Sequence, residues 1–187
     1  MIPIPSLWLP ILLSGVIVFV ASSVIHMFLT YHKNDFRQVP DEEGTMSVLR
    51  ALNIPPGDYV LPYAGSMEVM NSDEFKAKVE QGPVGVFTIF PPRAWASMGP
   101  QLAKWFVYCL VVASVAAYVA GRELSAGAEY LSVFRLVGTV AFACYAMSLP
   151  QRSIWYHQGW GSTLRSMFDG LLYAALTAGV FGWLWPA

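Results

Sequence analysis

Residues 7–31 read LWLPILLSGVIVFVASSVIHMFLTY, a run of 25 residues without Lys, Arg, Asp or Glu. At a rise of about 1.5 Å per residue, a helix of this length crosses a bilayer hydrocarbon core of about 30 Å. The run exceeds the apolar part of a signal peptide, and no basic residue precedes it. We therefore predict that it is retained as the first transmembrane helix.

Three further apolar stretches follow the first one. Residues 105–121 (WFVYCLVVASVAAYVAG) lie between Lys104 and Arg122, residues 130–149 contain Arg135, and residues 166–185 contain Asp169. Each has a length near the 17 to 25 residues, roughly, that a spanning helix needs. The predicted fold is an α-helical membrane protein with four transmembrane helices.

The composition supports this fold class. Of 187 residues, 56% are hydrophobic and only 12% are charged, and the mean hydropathy is +0.49. Soluble domains average about 25% charged residues, so an ordinary cytosolic enzyme is excluded. The net charge of -1 provides no basic surface for nucleic acid. The expected partners are the lipid bilayer and other membrane protein subunits.

The distribution of Lys and Arg predicts the orientation. Seven of the 11 basic residues lie in residues 33–104 and two more, Arg152 and Arg165, follow the third stretch, whereas only Arg122 lies between the second and third stretches. Basic residues accumulate on the cytoplasmic side of a membrane. We therefore expect the large loop to be cytoplasmic and both termini to lie on the outer side of the membrane.

The large loop divides the chain into residues 1–31, 32–104 and 105–187, and its pattern predicts a small mixed α/β cytoplasmic unit. Acidic residues follow Pro40, and a second helix begins at Asp73, capped by Asn71 or Ser72. Residues 59–63 and 84–90 are strand candidates. A unit of this size has too few apolar residues to be stable alone, so we expect it to rest on the membrane or on a partner.

The search for chemistry leaves three polar residues at membrane depth, His26, Arg135 and Asp169, because no common catalytic, nucleotide-binding or metal motif occurs. Arg135 is expected to extend towards the lipid headgroups. The favoured interpretation of Asp169 is a helix-dipole contact in the first turn of its helix, with Arg165 as its partner four residues earlier. The alternative is a buried pair between Asp169 and His26, which lie at similar depth.

Neither a metal nor a cofactor is predicted. The three histidines, His26, His32 and His157, fall on one predicted side of the membrane. Haem in a helical bundle requires imidazoles from two helices, and His157 lies in a predicted loop. The two cysteines, Cys109 and Cys144, lie in apolar stretches and are expected to pack as small apolar residues.

Several blocks carry a resemblance to a known family. They are HKNDF (32–36), VPDEE (39–43), PPGDYVLPYAG (55–65), QGPVGVFTIFPP (81–92), SMGPQLAKWF (97–106) and DGLLYAALTAGVFGWLWP (169–186). With these blocks the chain resembles a family of small uncharacterised bacterial inner-membrane proteins. The resemblance implies source and topology, and it carries no reaction, cofactor or catalytic residue.

Two functional hypotheses follow from the sequence. The first is a non-catalytic accessory, assembly or interaction subunit of a membrane complex, because no site motif occurs beside a loop too small to stand alone. The second is a transport, proton-handling or redox protein that uses His26 and Asp169 as a working pair.

Overall fold

The computed structural model describes all 187 residues and divides into two compact units, Met1–Phe36 with Met98–Ala187, and Arg37–Ser97. The first, here called the helical unit, begins with a 3-10 turn at Ile4–Leu7. The second is called the small unit. Their elements, in chain order, are α1 (Trp8–Phe28), α2 (Glu42–Leu52), β1 (Gly57–Leu61), α3 (Met67–Asn71), α4 (Asp73–Gln81), β2 (Gly85–Ile89), α5 (Gly99–Glu123), α6 (Tyr130–Ala146), α7 (Pro150–Tyr156) and α8 (Trp160–Trp183).

The helical unit contains three segments that are long and apolar enough to cross a membrane, Ile4–Phe28, Gly99–Glu123 and Tyr130–Tyr156. The fold is therefore mostly helical, as predicted, with three segments suited to crossing a membrane, and four spans are not confirmed. Helix α8 has 24 residues and is long enough. It contains Arg165, Asp169 and four glycines, and it is not one of these three segments.

The ends of α6 and α8 differ from the predicted spans. Helix α6 stops at Ala146, and α7 follows as a separate short helix. Helix α8 begins at Trp160, six residues before the predicted start at Ser166, so Arg165 lies inside the helix and not in a loop. The reason is that hydropathy marks where a helix enters an apolar region, whereas polar residues extend it beyond that point.

Small residues bring the long helices close together. Helix α8 packs most extensively on α6, and α1 packs on α5 and α8. A Cβ atom placed on Gly138 would lie 3.3 Å from the Cβ of Ala178, and one on Gly170 would lie 2.9 Å from the Cβ of Ala146. Close approach of this kind supplies the dispersion contacts that hold helices together where the hydrophobic effect is weak.

Both termini lie at the same end of the helical unit. The backbone N–H of Ile2 donates to the carbonyl of Gly121 at 2.7 Å, and that of Gly127 donates to Pro186 at 2.9 Å. The indole of Trp185 donates to the Ser125 carbonyl at 3.0 Å. Since the α5–α6 connection joins both termini, α1, α5, α6 and α8 alternate in direction. The end of α1 and the starts of α5 and α8 therefore share the opposite end.

The small unit has the predicted order of helix, strand, helix and strand, with α3 as an additional short helix before α4. Strands β1 and β2 pair antiparallel, with Gly57 opposite Ile89 and Leu61 opposite Gly85. The side chains of Asp41 and Ser72 cap α2 and α4. No residue of the small unit is buried. Residues 32–36, which the sequence placed in the loop, group with the helical unit.

Candidate functional site

Asp169 lies at the centre of a polar cluster at the end of α1. The residue is 3% exposed and belongs to the third turn of α8. Its carboxylate accepts a hydrogen bond from the Tyr31 hydroxyl and is joined to Nε2 of His32 at 2.7 Å. Both partners follow the last turn of α1, so the chain leaving the first helix folds back over α8.

The cluster continues through His32 to a second acidic residue. The Nδ1 atom of His32 lies 2.6 Å from a carboxylate oxygen of Asp35. The guanidinium of Arg165 donates to the other oxygen of Asp35, with its Nε at 2.9 Å and a second, closer contact from its terminal nitrogen. We call Tyr31, His32, Asp35, Arg165 and Asp169 the polar network, and it joins the segment after α1 to the first turns of α8.

The directions in which the pKa values of the polar network shift follow from these contacts. Burial lowers the pKa of His32, but hydrogen bonds to Asp35 and Asp169 outweigh burial and raise it. Burial opposes ionisation of Asp35, yet bonds from His32 and Arg165 leave its pKa below the usual value. Burial and the bond to Asp169 raise the pKa of Tyr31 to about 12. At neutral pH, Asp35 is therefore ionised and Tyr31 remains a hydroxyl donor.

The favoured interpretation of Asp169 is wrong. Arg165 was expected to pair with Asp169 at the start of the helix, but Arg165 binds Asp35. Because α8 begins at Trp160, Asp169 lies well beyond the first turn, where it is buried and helix-dipole capping no longer applies.

His26 lies beside the polar network but does not form a hydrogen bond with Asp169. Its ring stacks on the ring of His32, with centroids 4.8 Å apart and an angle of 13° between the planes. Its Nδ1 lies 3.0 Å from the carbonyl oxygen of Ser22, one turn earlier. The nearest ligand atoms of His26, His32 and Asp169 lie within 4.8 Å of one another. The structure thus brings His26 and Asp169 into one cluster and makes His32 the hydrogen-bonded partner.

Arg135 and His157 lie outside this cluster. Arg135 is exposed, five residues after the start of α6, at the end of the helical unit that carries the termini. His157 follows α7 and adopts a left-handed backbone conformation with φ of 53°. The structure therefore leaves two of the three histidines, and two of the three polar residues at predicted membrane depth, in the candidate site.

A cavity of about 690 Å³ lies beside the polar network, between α1, α5, α6 and α8. Four of its 15 lining residues are Trp or Tyr, and the indole of Trp105 donates to the Ser22 hydroxyl at 2.7 Å. The volume falls within the range of about 300 to 1,000 Å³ that is usual for ligand sites. The lining residues that the argument uses are Ser23, His26, Trp105, Tyr145, Asp169 and Tyr173.

Tyr173 lines this cavity and carries an unsatisfied polar atom. The residue is 4% exposed and lies one turn after Asp169 on α8. Its hydroxyl is buried and has no hydrogen-bond partner in the structure. Buried polar atoms are almost always paired, so an unpaired hydroxyl on a cavity wall indicates a place where a ligand or a water completes the bond.

Sequence reasoning missed most of the site. Tyr31 and Asp35 were not candidates, Arg165 was expected only as the partner of Asp169, and Trp105 and Tyr173 were assigned only to apolar stretches. The available signal was the segment YHKND, which places four ionisable side chains directly after an apolar helix. Its partners on α8 lie 130 or more residues away, and no local pattern links such positions.

Comparison with protein-family models, with curated proteins and with solved structures found no match to this chain. Functional conclusions therefore depend on the geometry of the polar network and of the adjoining cavity.

Proposed function

We propose that this protein is an integral membrane protein that binds a lipid-soluble molecule in the cavity between α1, α5, α6 and α8. The observation that carries the proposal is the unpaired, buried hydroxyl of Tyr173, a residue that lines the cavity together with Trp105 and Tyr145. Asp169 and His26 line the same wall and provide the polar end of the site. Most ligand sites share this design, with an apolar wall and a few placed polar groups.

The cavity wall favours a particular chemistry. Trp105 lies 6.0 Å from the ring of Tyr173 and 6.2 Å from that of Tyr145, at angles typical of edge and tilted contacts. Flat apolar molecules stack well on such rings, and a carbonyl or ether oxygen would accept the Tyr173 hydrogen bond. The proposed ligand is therefore a flat, apolar molecule with a hydrogen-bond acceptor at one end.

A small quinone tests this proposal. The probe 1,4-naphthoquinone has a flat ring and two carbonyl acceptors, and quenching of tryptophan fluorescence follows its binding to the purified protein in detergent with a chelator present. We expect saturable quenching. Ser23→Phe, which places a ring in the cavity, should weaken binding at least about tenfold.

A matched control separates binding from partition into detergent. Ser114 lines a different hollow on α5, and its hydroxyl donates to the backbone carbonyl four residues earlier, as that of Ser23 does. Ser114→Phe should bind the probe as the unaltered protein does. Equal affinity in all three proteins, or quenching that never saturates, would contradict the proposal.

The proposed topology has α8 as a fourth span, in the bacterial inner membrane, with the termini in the periplasm and the small unit in the cytoplasm. Two observations support it. The termini share one end of the helical unit, as an even number of spans requires. Arg122 is near that end, whereas Lys33, Arg152 and Arg165 lie near the other.

Reporter fusions test this topology. A fusion at Asp73 should report a cytoplasmic location, and fusions at Ala126 and after Ala187 should report a periplasmic one. If fusions at Asp73 and Ala187 report the same side, α8 does not cross the membrane. If all three sites report the opposite side, the orientation is inverted and the number of spans stands.

A role as an accessory or assembly subunit of a membrane complex is the second candidate. The observation in its favour is that no side chain of the small unit is buried, while Met46, Val48, Leu52 and Met67 are all exposed. Surfaces of this kind are often covered by a partner. Purification from native membranes in mild detergent should then retain a second membrane protein in stoichiometric amount, and Val48→Glu should release it.

A further inference from the structure

We infer that His26, His32 and Asp169 form a binding site for a divalent transition-metal ion, with zinc as the expected occupant. One ligand atom from each residue lies within 4.8 Å of the others. Two imidazoles and one carboxylate are ligands that Zn²⁺ uses in proteins, at about 2.0 to 2.2 Å. Binding of one ion would require these side chains to rotate, because atoms bound to a common ion at these lengths lie closer together than 4.8 Å.

The hydrogen bonds of both imidazoles orient them for this role. Nδ1 of His26 faces the Ser22 carbonyl at 3.0 Å, and Nδ1 of His32 faces Asp35 at 2.6 Å. When Nδ1 of each ring carries the proton, Nε2 of each ring is left to donate its lone pair. Histidines that bind metals are held in this way by a carbonyl or a carboxylate on the other nitrogen.

The carboxylate of Asp169 is also held in a fixed orientation by its hydrogen bonds. One oxygen accepts from the Tyr31 hydroxyl, which fixes its direction, and the other lies 2.7 Å from Nε2 of His32. A divalent cation bound here would take the place of the contact between these two atoms.

The surroundings leave room for a fourth ligand. Arg165 is paired with Asp35 and does not compete for Asp169. His26 and Asp169 both line the cavity, so the ion would face open space on one side. Three protein ligands and one open position are the arrangement of zinc sites that bind water or a substrate atom.

Cobalt provides a direct test because Co²⁺ substitutes for zinc and absorbs visible light. The full-length protein, purified without a histidine tag and stripped with a chelator, is titrated with CoCl₂ in detergent. We expect one Co²⁺ per chain, with d–d absorption bands of a four- or five-coordinate ion, and loss of these bands when ZnCl₂ is added.

The third histidine supplies the control. His26→Ala should weaken cobalt binding at least about tenfold, because it removes one of three ligands. The side chain of His26 bonds to a backbone carbonyl of its own helix. His157→Ala removes a histidine that lies outside the cluster and should leave the titration unchanged. Asp169→Asn should abolish the bands, and a circular dichroism spectrum shows whether this variant keeps its helices.

Three outcomes would overturn the inference. They are absence of d–d bands in the unaltered protein, equal affinity in His26→Ala, and equal weakening by His157→Ala. The cobalt titration uses no organic ligand and the quinone assay includes a chelator, so failure of one proposal is distinguishable from failure of the other.

Discussion

The helical unit and the small unit use the same kinds of ion pair in opposite surroundings. Asp35 pairs with Arg165 while its side chain is only 11% exposed, and Glu74 pairs with Lys78 while its side chain is 79% exposed. The pKa of each carboxyl is lowered by its basic partner. For Asp35 the pKa is lowered although burial opposes ionisation, whereas water screens the attraction between Glu74 and Lys78.

The difference shows where polar groups are costly to disturb. In the small unit no side chain is buried, so a polar group that loses its partner is hydrated again. In the helical unit, removal of a hydrogen-bond partner of Asp169 would leave a buried polar atom that water does not reach. A substitution in the helical unit and its counterpart in the small unit should therefore differ in their effect on stability. The difference should be largest where a buried charge loses its partner and smallest where a single hydrogen bond is lost.

The largest effect is expected at Asp169. Asp169→Leu leaves His32 and Tyr31 without their shared acceptor and should lower the free energy of unfolding by about 3 to 5 kcal/mol, as removal of one partner from a buried pair does. Unfolding in detergent with a chelator measures it. Asp73→Leu removes an exposed carboxylate that lies 3.1 Å from Lys76 and should have an effect several-fold smaller. Similar losses of stability in both variants would show that removal of the buried carboxylate is no more costly than removal of the exposed one.

A double substitution sharpens the same comparison. His32→Leu combined with Asp169→Leu removes both members of the 2.7 Å contact, so fewer polar atoms are left unpaired than in the two single variants together. The loss of the double variant should be smaller than the sum of the single losses by at least about 1 kcal/mol. Strict additivity would mean that His32 and Asp169 do not depend on each other.

Helix packing should give the next largest difference. A Cβ at Gly170 would lie 2.9 Å from the Cβ of Ala146, whereas one at Gly85 in β2 has no atom within 4 Å. Gly170→Val should therefore destabilise the protein by about 1 to 3 kcal/mol through overpacking. Gly85→Val should be neutral or slightly stabilising, since β-branched residues favour strands. Thermal unfolding of the two variants provides the measurement, and a neutral Gly170→Val would show that α6 and α8 can separate without cost.

The smallest difference is expected at tryptophan. Trp105→Phe loses the 2.7 Å hydrogen bond to Ser22 and should cost about 1 kcal/mol. Trp95 is 75% exposed and contacts the ring of Phe90 edge-on, so Trp95→Phe should change stability by less than about 0.5 kcal/mol. The same unfolding assay compares the two variants. A larger loss of stability in Trp95→Phe than in Trp105→Phe would contradict this prediction.

Local patterns were sufficient for the elements themselves. A long uncharged run predicts α1, the Lys104 and Arg122 boundaries bracket most of α5, and Ser72 before Asp73 predicts the start of α4. Each of these signals involves residues close in the chain, where periodicity, hydropathy and capping act. The start of α8 was missed because polar residues between Trp160 and Arg165 continue the helix without an apolar signal.

The sequence by itself determined that apolar helices form and that a small mixed unit separates the first two of them. Only the tertiary structure decided which polar side chains meet. Asp169 and Arg165 are four residues apart on one helix, and the local rule pairs them, yet each binds a residue 130 or more positions away. The physical reason is that an unpaired buried charge costs more free energy than a local contact within α8 supplies. Packing of α1 against α8 therefore selects the partners.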